Sequence, residues 1–254
     1  MPRIAVICGT GMSTFPETLA SFYPSKYEVM NVDTPWGSVP ISHVATDFGE
    51  IIVIDRHHSK GRNRTPPHMI EHRANAHAAV SGNPHLIISI NSVGTMVEDL
   101  PPGKVGLAGD VLDLSNSPWT FHDFEAKHAD RTLIFDSHAS SICEGILNTE
   151  QGSAPNELVV GQCVGPQFES PSEIDALEKL GAQVVGMTLG PEQRLVSELD
   201  IPHISLLCSS NWAAGRDPVN PKSKIDHEGV SSKASATNKI VSKCIIGLLQ
   251  SINQ

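Results

Sequence analysis

Positive charge is scarce in this chain: 18 Lys and Arg stand against 28 Asp and Glu, a net charge of -10 with the histidines neutral. A surface of that balance repels phosphate backbones and anionic bilayers, so neither nucleic acid nor a membrane surface is an expected partner. Long apolar runs are missing too. No stretch approaches the roughly 18 apolar residues of a membrane span. The opening MPRIAVICGTGMST lacks the longer apolar core and cleavage site of a signal peptide, so the expected location is cytoplasmic. Five cysteines (Cys8, Cys143, Cys163, Cys208, Cys244) are scattered, odd in number and form no CxxC pair. That excludes a disulfide framework and a cysteine-based zinc site, and fits buried thiols in a reducing compartment.

What is present is ordinary globular material, 39% hydrophobic over 254 residues, with no linker that divides it. One domain over residues 1–254 is expected. Short β-branched runs recur as RIAVIC (3–8), EIIVID (50–55), HLIISI (85–90), ELVVGQCV (157–164), AQVVGM (182–187) and HISLLC (203–208). Helical segments lie between several of them, which predicts an α/β fold with a central sheet flanked by helices. Three helices are well signalled. One follows Ser170 as N-cap and stops at Gly181; one spans 190–200 with Pro191 in its first turn; the last runs from about Asp226, with a stripe of Ile240, Cys244, Ile245, Leu248 and Leu249. Residues 115–156 are rich in turn formers and are expected to be surface loops or an insertion.

Several strands run into small or hydroxyl residues, which is where open α/β sheets bind ligands. Gly9-Thr10-Gly11 follows the first run; it is neither a P-loop nor a GxGxxG fingerprint, but its backbone could approach an anion. The densest positive spot, DRHHSKGRNR (55–64), follows the second, with Arg56, Lys60, Arg62 and Arg64. HMIEH (68–72) has the spacing of one class of zinc peptidase, since on a helix His68 and His72 would share a face with Glu71 beside them. A catalytic zinc needs a third protein ligand that the sequence does not point to.

Read in order, GTG, VDTPWG (32–37), RH, PPHMIEHRAN (66–75), NSVG (91–94), GPQFES (165–170), GMT with PE following, and SNWAAG (210–215) resemble the trimeric purine nucleoside phosphorylase and methylthioadenosine phosphorylase family. The resemblance covers nearly the whole chain and is weakest over 115–156. It implies a single-domain, three-layer phosphorylase fold with a mixed sheet, and it makes HMIEH the start of a packing helix rather than a metal site. It further implies cleavage of a nucleoside's glycosidic bond by inorganic phosphate, no metal or organic cofactor, and a homotrimer. The aromatics of the loop around Trp119, Phe121 and Phe124 are candidates to bridge subunits.

Carried over position by position, the resemblance assigns phosphate to Thr10, Arg56, His57, Ser92 through its backbone N–H, and Thr188, with Asn91 beside the cradle. It places Met187 and Phe168 against the nucleoside. Asn211, Glu169 and His57 are the expected catalytic groups, Asn211 and Glu169 stabilising the departing base. Trp212 and Ala213 follow in the base strand, and His227 is expected at the 5' hydroxyl. Asn rather than Asp at 211, and Ala rather than a second Asp at 213, favour hypoxanthine or guanine over adenine. The SNWAAG stretch is shared with methylthioinosine phosphorylases, so a 5'-methylthio substrate stays open. A silent nucleoside binder is the remaining alternative. Departures border the phosphate site: His58 replaces the usual Gly, the loop 59–65 is longer, and Glu71-His72 stands where Asn-Tyr is common.

Overall fold

The computed structural model describes residues 1–59, 63–225, 229, 233 and 236–252. Among the described residues nine strands join in one mixed sheet: β1 (Arg3–Cys8), β2 (Ser25–Thr34), β3 (Gly37–Thr46), β4 (Gly49–Asp55), β5 (Leu86–Thr95), β6 (Val105–Leu112), β7 (Leu158–Gln162), β8 (Val184–Gly186) and β9 (His203–Trp212). Their order is β2-β3-β4-β1-β5-β8-β7-β6-β9, and β5 also pairs with β9. The strands from β5 to β9 therefore close on themselves, while β1 to β4 extend as an open wing.

The wing shows why β1 reads as an unbroken apolar run. Successive side chains of a strand point to opposite faces. Ile4, Val6 and Cys8 enter a core with Phe15 and Leu19 of α1 (Phe15–Phe22), Cys143 and Leu147 of α3 (Ser137–Gln151), and Cys244 and Leu248 of α6 (Asn238–Ile252). Ala5 and Ile7 enter another with Ala74 and Ala78 of α2 (His72–Val80) and Val196 of α5 (Leu189–Val196). Both faces are covered, giving three layers.

α4 (Pro171–Lys179) begins as its sequence predicts: the Ser170 side chain accepts from the Glu173 N–H and Glu173 reaches back to the Ser170 N–H. The region 115–156 is only partly loop. Residues 137–151 form α3, capped by Asp136 and ended by Gly152 at φ 77°. Its buried stripe of Ala139, Cys143 and Leu147 is one residue wide, too narrow to stand out among Ser, Glu and Asn. The hairpin β2–β3 also escapes a burial-based reading, because β2 exposes most of its side chains. The helix expected from 66–75 starts later: Pro67–Met69 is a single 3-10 turn, and α2 begins at His72 with Glu71 as its N-cap. His68 and His72 thus share no helix face, and the carboxylate of Glu71 is occupied by Arg73. For the last helix, the described part is Asn238–Ile252; Asp226 and His227 lie outside the described residues, as do Lys60 and Arg62.

One feature of the sheet positions the site. β1 pairs with β5 only as far as Ile7 with Ser89, and β8 takes over that edge of β5 at Gly94. Between them β5 has no strand on that side. The opening sits at the carboxyl ends of β1 and β4, where α/β sheets bind ligands. Among the described residues no helix is long and apolar enough to cross a membrane.

Candidate active site

A cavity of about 480 Å³ occupies this opening. Its lining includes Thr10 from beyond β1, Arg56 and His57 from beyond β4, Ser92 from β5, Phe168 and Glu169 from beyond β7, Met187 and Thr188 from beyond β8, and Asn211 from β9. Segments as far apart in the chain as Thr10 and Asn211 converge because each follows, or belongs to, a strand of one sheet.

Arg56, His57, Thr10, Ser92 and Thr188, the groups expected to hold an anion, lie together in the cavity lining. Arg56, 2% exposed, is held on every side: Nε and Nη2 donate to the Glu192 carboxylate at 2.5 and 3.1 Å, Nη2 also to the Ile7 carbonyl and Nη1 to the Ile90 carbonyl, both at 2.9 Å. One Nη1 hydrogen is left over. It lies under Gly9, where an added Cβ would come within 2.4 Å of Nη1 and 3.2 Å of His57 Nε2. Glycine there lets the Gly9-Thr10 backbone descend onto these two side chains. The Ile90 carbonyl points into the gap, and by the two-residue period of a strand the Ser92 N–H faces the same way.

His57 is buried, and its Nδ1 sits 2.8 Å from the Thr65 carbonyl. A carbonyl only accepts, so Nδ1 carries the hydrogen. Burial above all, with Arg56 and Arg64 adding to it against the Thr65 carbonyl, pulls this imidazole down to about 4. At neutral pH it is uncharged. Thr188 is the residue before α5, and its Oγ1 accepts from Asn91 Nδ2 at 2.9 Å, which leaves the hydroxyl hydrogen for a ligand. Asn91 is fixed from behind by Ser205, whose hydroxyl donates to its Oδ1 at 3.0 Å. Asn91 therefore orients the threonine and is not itself among the lining residues. Hydrogens at a helix N-terminus favour an anion.

Glu169 and Asn211 line the same cavity. The Asn211 Oδ1 accepts from the Ser210 hydroxyl at 2.9 Å and Nδ2 donates to the Trp212 carbonyl at 2.8 Å. One donor and one acceptor position remain on the amide. Glu169 keeps a buried Oε1 that meets no donor among the described residues; burial pushes its carboxyl upward, against hydrogen bonds from its own backbone N–H and the Cys163 thiol. Phe168 and Met187 supply apolar wall. Trp212 and Ala213 do not line the cavity; Ala213 is packed among Met96, Ile174, Ala182 and Val185. His227 lies outside the described residues.

Three participants are missed by sequence reasoning. Glu192 is the counter-charge of Arg56 and is fully buried; the signal was an Arg expected inside the protein, which cannot be there unpaired. Ser210 links the Ser92 hydroxyl to Asn211. Thr65, by fixing the tautomer of His57, is legible only from the fold. His58, the departure from the pattern, points away from the cavity: its Nε2 meets Asn75 Oδ1 at 3.0 Å, and the Asn75 amide holds the Arg56 carbonyl at 3.2 Å. The change ties the loop to α2.

A cavity lined by two arginines, a histidine and hydroxyls together with a carboxylate and an amide, at the carboxyl ends of strands in a mixed sheet, has the make-up of an α/β enzyme site. The chain belongs to the phosphorylase superfamily, whose model matches residues 3–246. Within it the chain is a nucleoside phosphorylase, a pentosyltransferase of the purine nucleoside phosphorylase family. The 6-oxopurine nucleoside phosphorylase of Pyrococcus furiosus is 32% identical over 224 residues, covering 85% of this chain and 81% of that protein. A protein of Methanothermobacter thermautotrophicus named "Probable S-methyl-5'-thioinosine phosphorylase" is 33% identical over 217 residues, covering 85% and 73%. A solved methylthioadenosine phosphorylase from Schistosoma mansoni, in complex with adenine, superposes with a TM-score of 0.85 over 100% of this chain and 92% of that one; at 18% identity it shows the fold.

Proposed function

We propose that the protein phosphorolyses 6-oxopurine nucleosides, inosine or guanosine, to the free base and ribose 1-phosphate. The observation that carries the base assignment is Glu169, a carboxylate in the cavity wall and an acceptor-only group when ionised, which calls for a donor from a ligand seated there. The N1–H of hypoxanthine or guanine supplies one, whereas N1 of adenine is an acceptor and would face a like group. The remaining donor and acceptor of Asn211 suit O6 and the N7–H that the departing base acquires. Phosphate in the cradle of Thr10, Arg56, His57, Ser92 and Thr188 attacks C1', the glycosidic bond breaks, and negative charge develops on the purine next to Asn211.

S-methyl-5'-thioinosine is the second reading. It carries the same base, and relatives named for either substrate are similarly close. A homotrimer is part of the proposal; Trp119 meets His72 edge-on and Phe121 packs at a tilt on Trp36 within the chain, so of the three loop aromatics only Phe124, fully exposed, is free for a neighbouring subunit. A solution mass of one chain at micromolar concentration would sink that part.

Base release should depend on added phosphate and be fastest with inosine or guanosine. In Glu169→Ala, kcat/KM for inosine should drop by about a hundredfold, as loss of a buried hydrogen bond to the reacting base requires, with adenosine little changed. A wild-type preference for adenosine, or an equal loss on both nucleosides in the variant, would contradict the base assignment. A preference for the methylthio substrate would move the reading to the alternative.

A further inference from the structure

We infer that Arg64 is, among the described residues, the cation that holds the phosphate charge in this enzyme, being kept in reserve by Asp55 until phosphate arrives. The inference rests on the phosphorylase reading of the cavity and concerns its anion-binding groups only. Arg56 and Arg64 are the two cations among the described residues that line the cavity. The first is electrically spent. Glu192 cancels its charge at 2.5 Å, and four of its N–H groups are committed to the carboxylate and two carbonyls. His57 is neutral, with its Nδ1 hydrogen given to Thr65. Thr10, the Ser92 amide and Thr188 contribute dipoles without net charge. From these groups a phosphate dianion would receive hydrogen bonds but no counter-charge, a costly arrangement for a partly buried ion.

Arg64 answers that deficit. It lines the cavity beside Thr65, its side chain is 43% exposed, and among the described residues it makes one ion pair, from Nη2 to Asp55 Oδ1 at 2.6 Å. Among the described residues the other guanidinium hydrogens meet no acceptor, and Arg64 lines the cavity. Asp55 Oδ1 also accepts the His57 N–H at 3.0 Å, so the carboxylate stays anchored if the arginine leaves it. The planar fork of Arg64 can then bind two phosphate oxygens together, with the exposed ion pair to Asp55 traded for a stronger one to the dianion.

The test compares wild type, Arg64→Ala and Arg64→Lys as full-length proteins. Phosphate is titrated at saturating inosine, inosine at saturating phosphate, and inorganic phosphate binding is measured directly by calorimetry at several salt concentrations. Removing a charge-assisted contact should raise KM and Kd for phosphate about tenfold in Arg64→Ala, with partial recovery in Arg64→Lys, since lysine restores the charge but not the fork. KM for inosine should stay within about twofold, and the dependence of phosphate affinity on salt should weaken. Phosphate constants that are unchanged in Arg64→Ala, or that change equally with those for inosine, overturn the inference. Failure of the wild type to bind or use phosphate would instead overturn the phosphorylase reading beneath it.

Discussion

Glu192→Ala is expected to lower the stability of this protein by about 3–5 kcal/mol, because it leaves the Arg56 guanidinium buried without its counter-charge. Both partners are sealed from solvent, at 2% and 0% exposure, so no water can take over the role of the carboxylate. For a chain of this size the loss corresponds to a fall of roughly 10 °C in Tm. Activity should suffer through phosphate, since Arg56 no longer presents its free Nη1 hydrogen under Gly9. The paired replacement Arg56→Met with Glu192→Leu separates the two effects. It removes both charges together and should recover much of the stability while leaving phosphate-dependent turnover lost. Differential scanning calorimetry and phosphorolysis assays on the same preparations decide it. A Glu192→Ala protein that melts within 2 °C of wild type and keeps its KM for phosphate would show that the pair does not support the cradle.

Acid should destabilise the fold steeply. Three buried histidines are held far below their ordinary value of 6.5: His57 at about 4, mainly by burial; His72 at about 3, by burial and then by Arg56 and His57; and His203 at about 3, by burial alone. Each is neutral in the folded protein and titrates freely once unfolded. Between its folded value and 6.5, the unfolded chain therefore binds more protons, and stability falls as the pH falls. The stabilisation is fully present above pH 6.5 and is lost progressively down to about pH 4 to 3. The slope is about 1.4 kcal/mol per pH unit for each histidine, so about 4 with all three acting. Set against a typical total of about 5–15 kcal/mol, this predicts unfolding near pH 4 to 5. Urea melts at half-unit steps from pH 7.5 to 4.5 would test it. His203→Gln, which can still bond to the Ser89 hydroxyl that now meets Nε2 at 3.0 Å, should flatten the slope by about one proton. A stability that is level from pH 7 to 5 would rule the mechanism out.

His72 also shows how a local pattern misleads. HMIEH has a helical zinc spacing, yet Pro66-Pro67 diverts the chain into a 3-10 turn and delays the helix to His72. Its imidazole then faces inward, 3.9 Å from Glu192 and edge-on to Trp119. By contrast, the apolar strands, the Ser170 capping box and the Gly9-Thr10 turn were readable, because each depends on residues adjacent in sequence. So was the set of segments that meet in the cavity, through their ordered resemblance to a family. The narrow stripe of α3 and the exposed strand β2 were not, since neither carries the strong periodic burial that marks an element.

The amino-acid sequence by itself determined the alternation of buried strands and helices, the family, and the candidate residues, because hydrophobic period, caps and short motifs are local properties. Only the tertiary structure decided what those residues are chemically. The cancellation of Arg56 by Glu192 joins positions 136 residues apart. The tautomer of His57 depends on the Thr65 carbonyl, and the free donors of Thr188 and Asn211 depend on Asn91 and Ser210. Charge balance, protonation and hydrogen-bond saturation depend on three-dimensional neighbours at 2.5 to 3.2 Å, and no spacing along the chain encodes those distances.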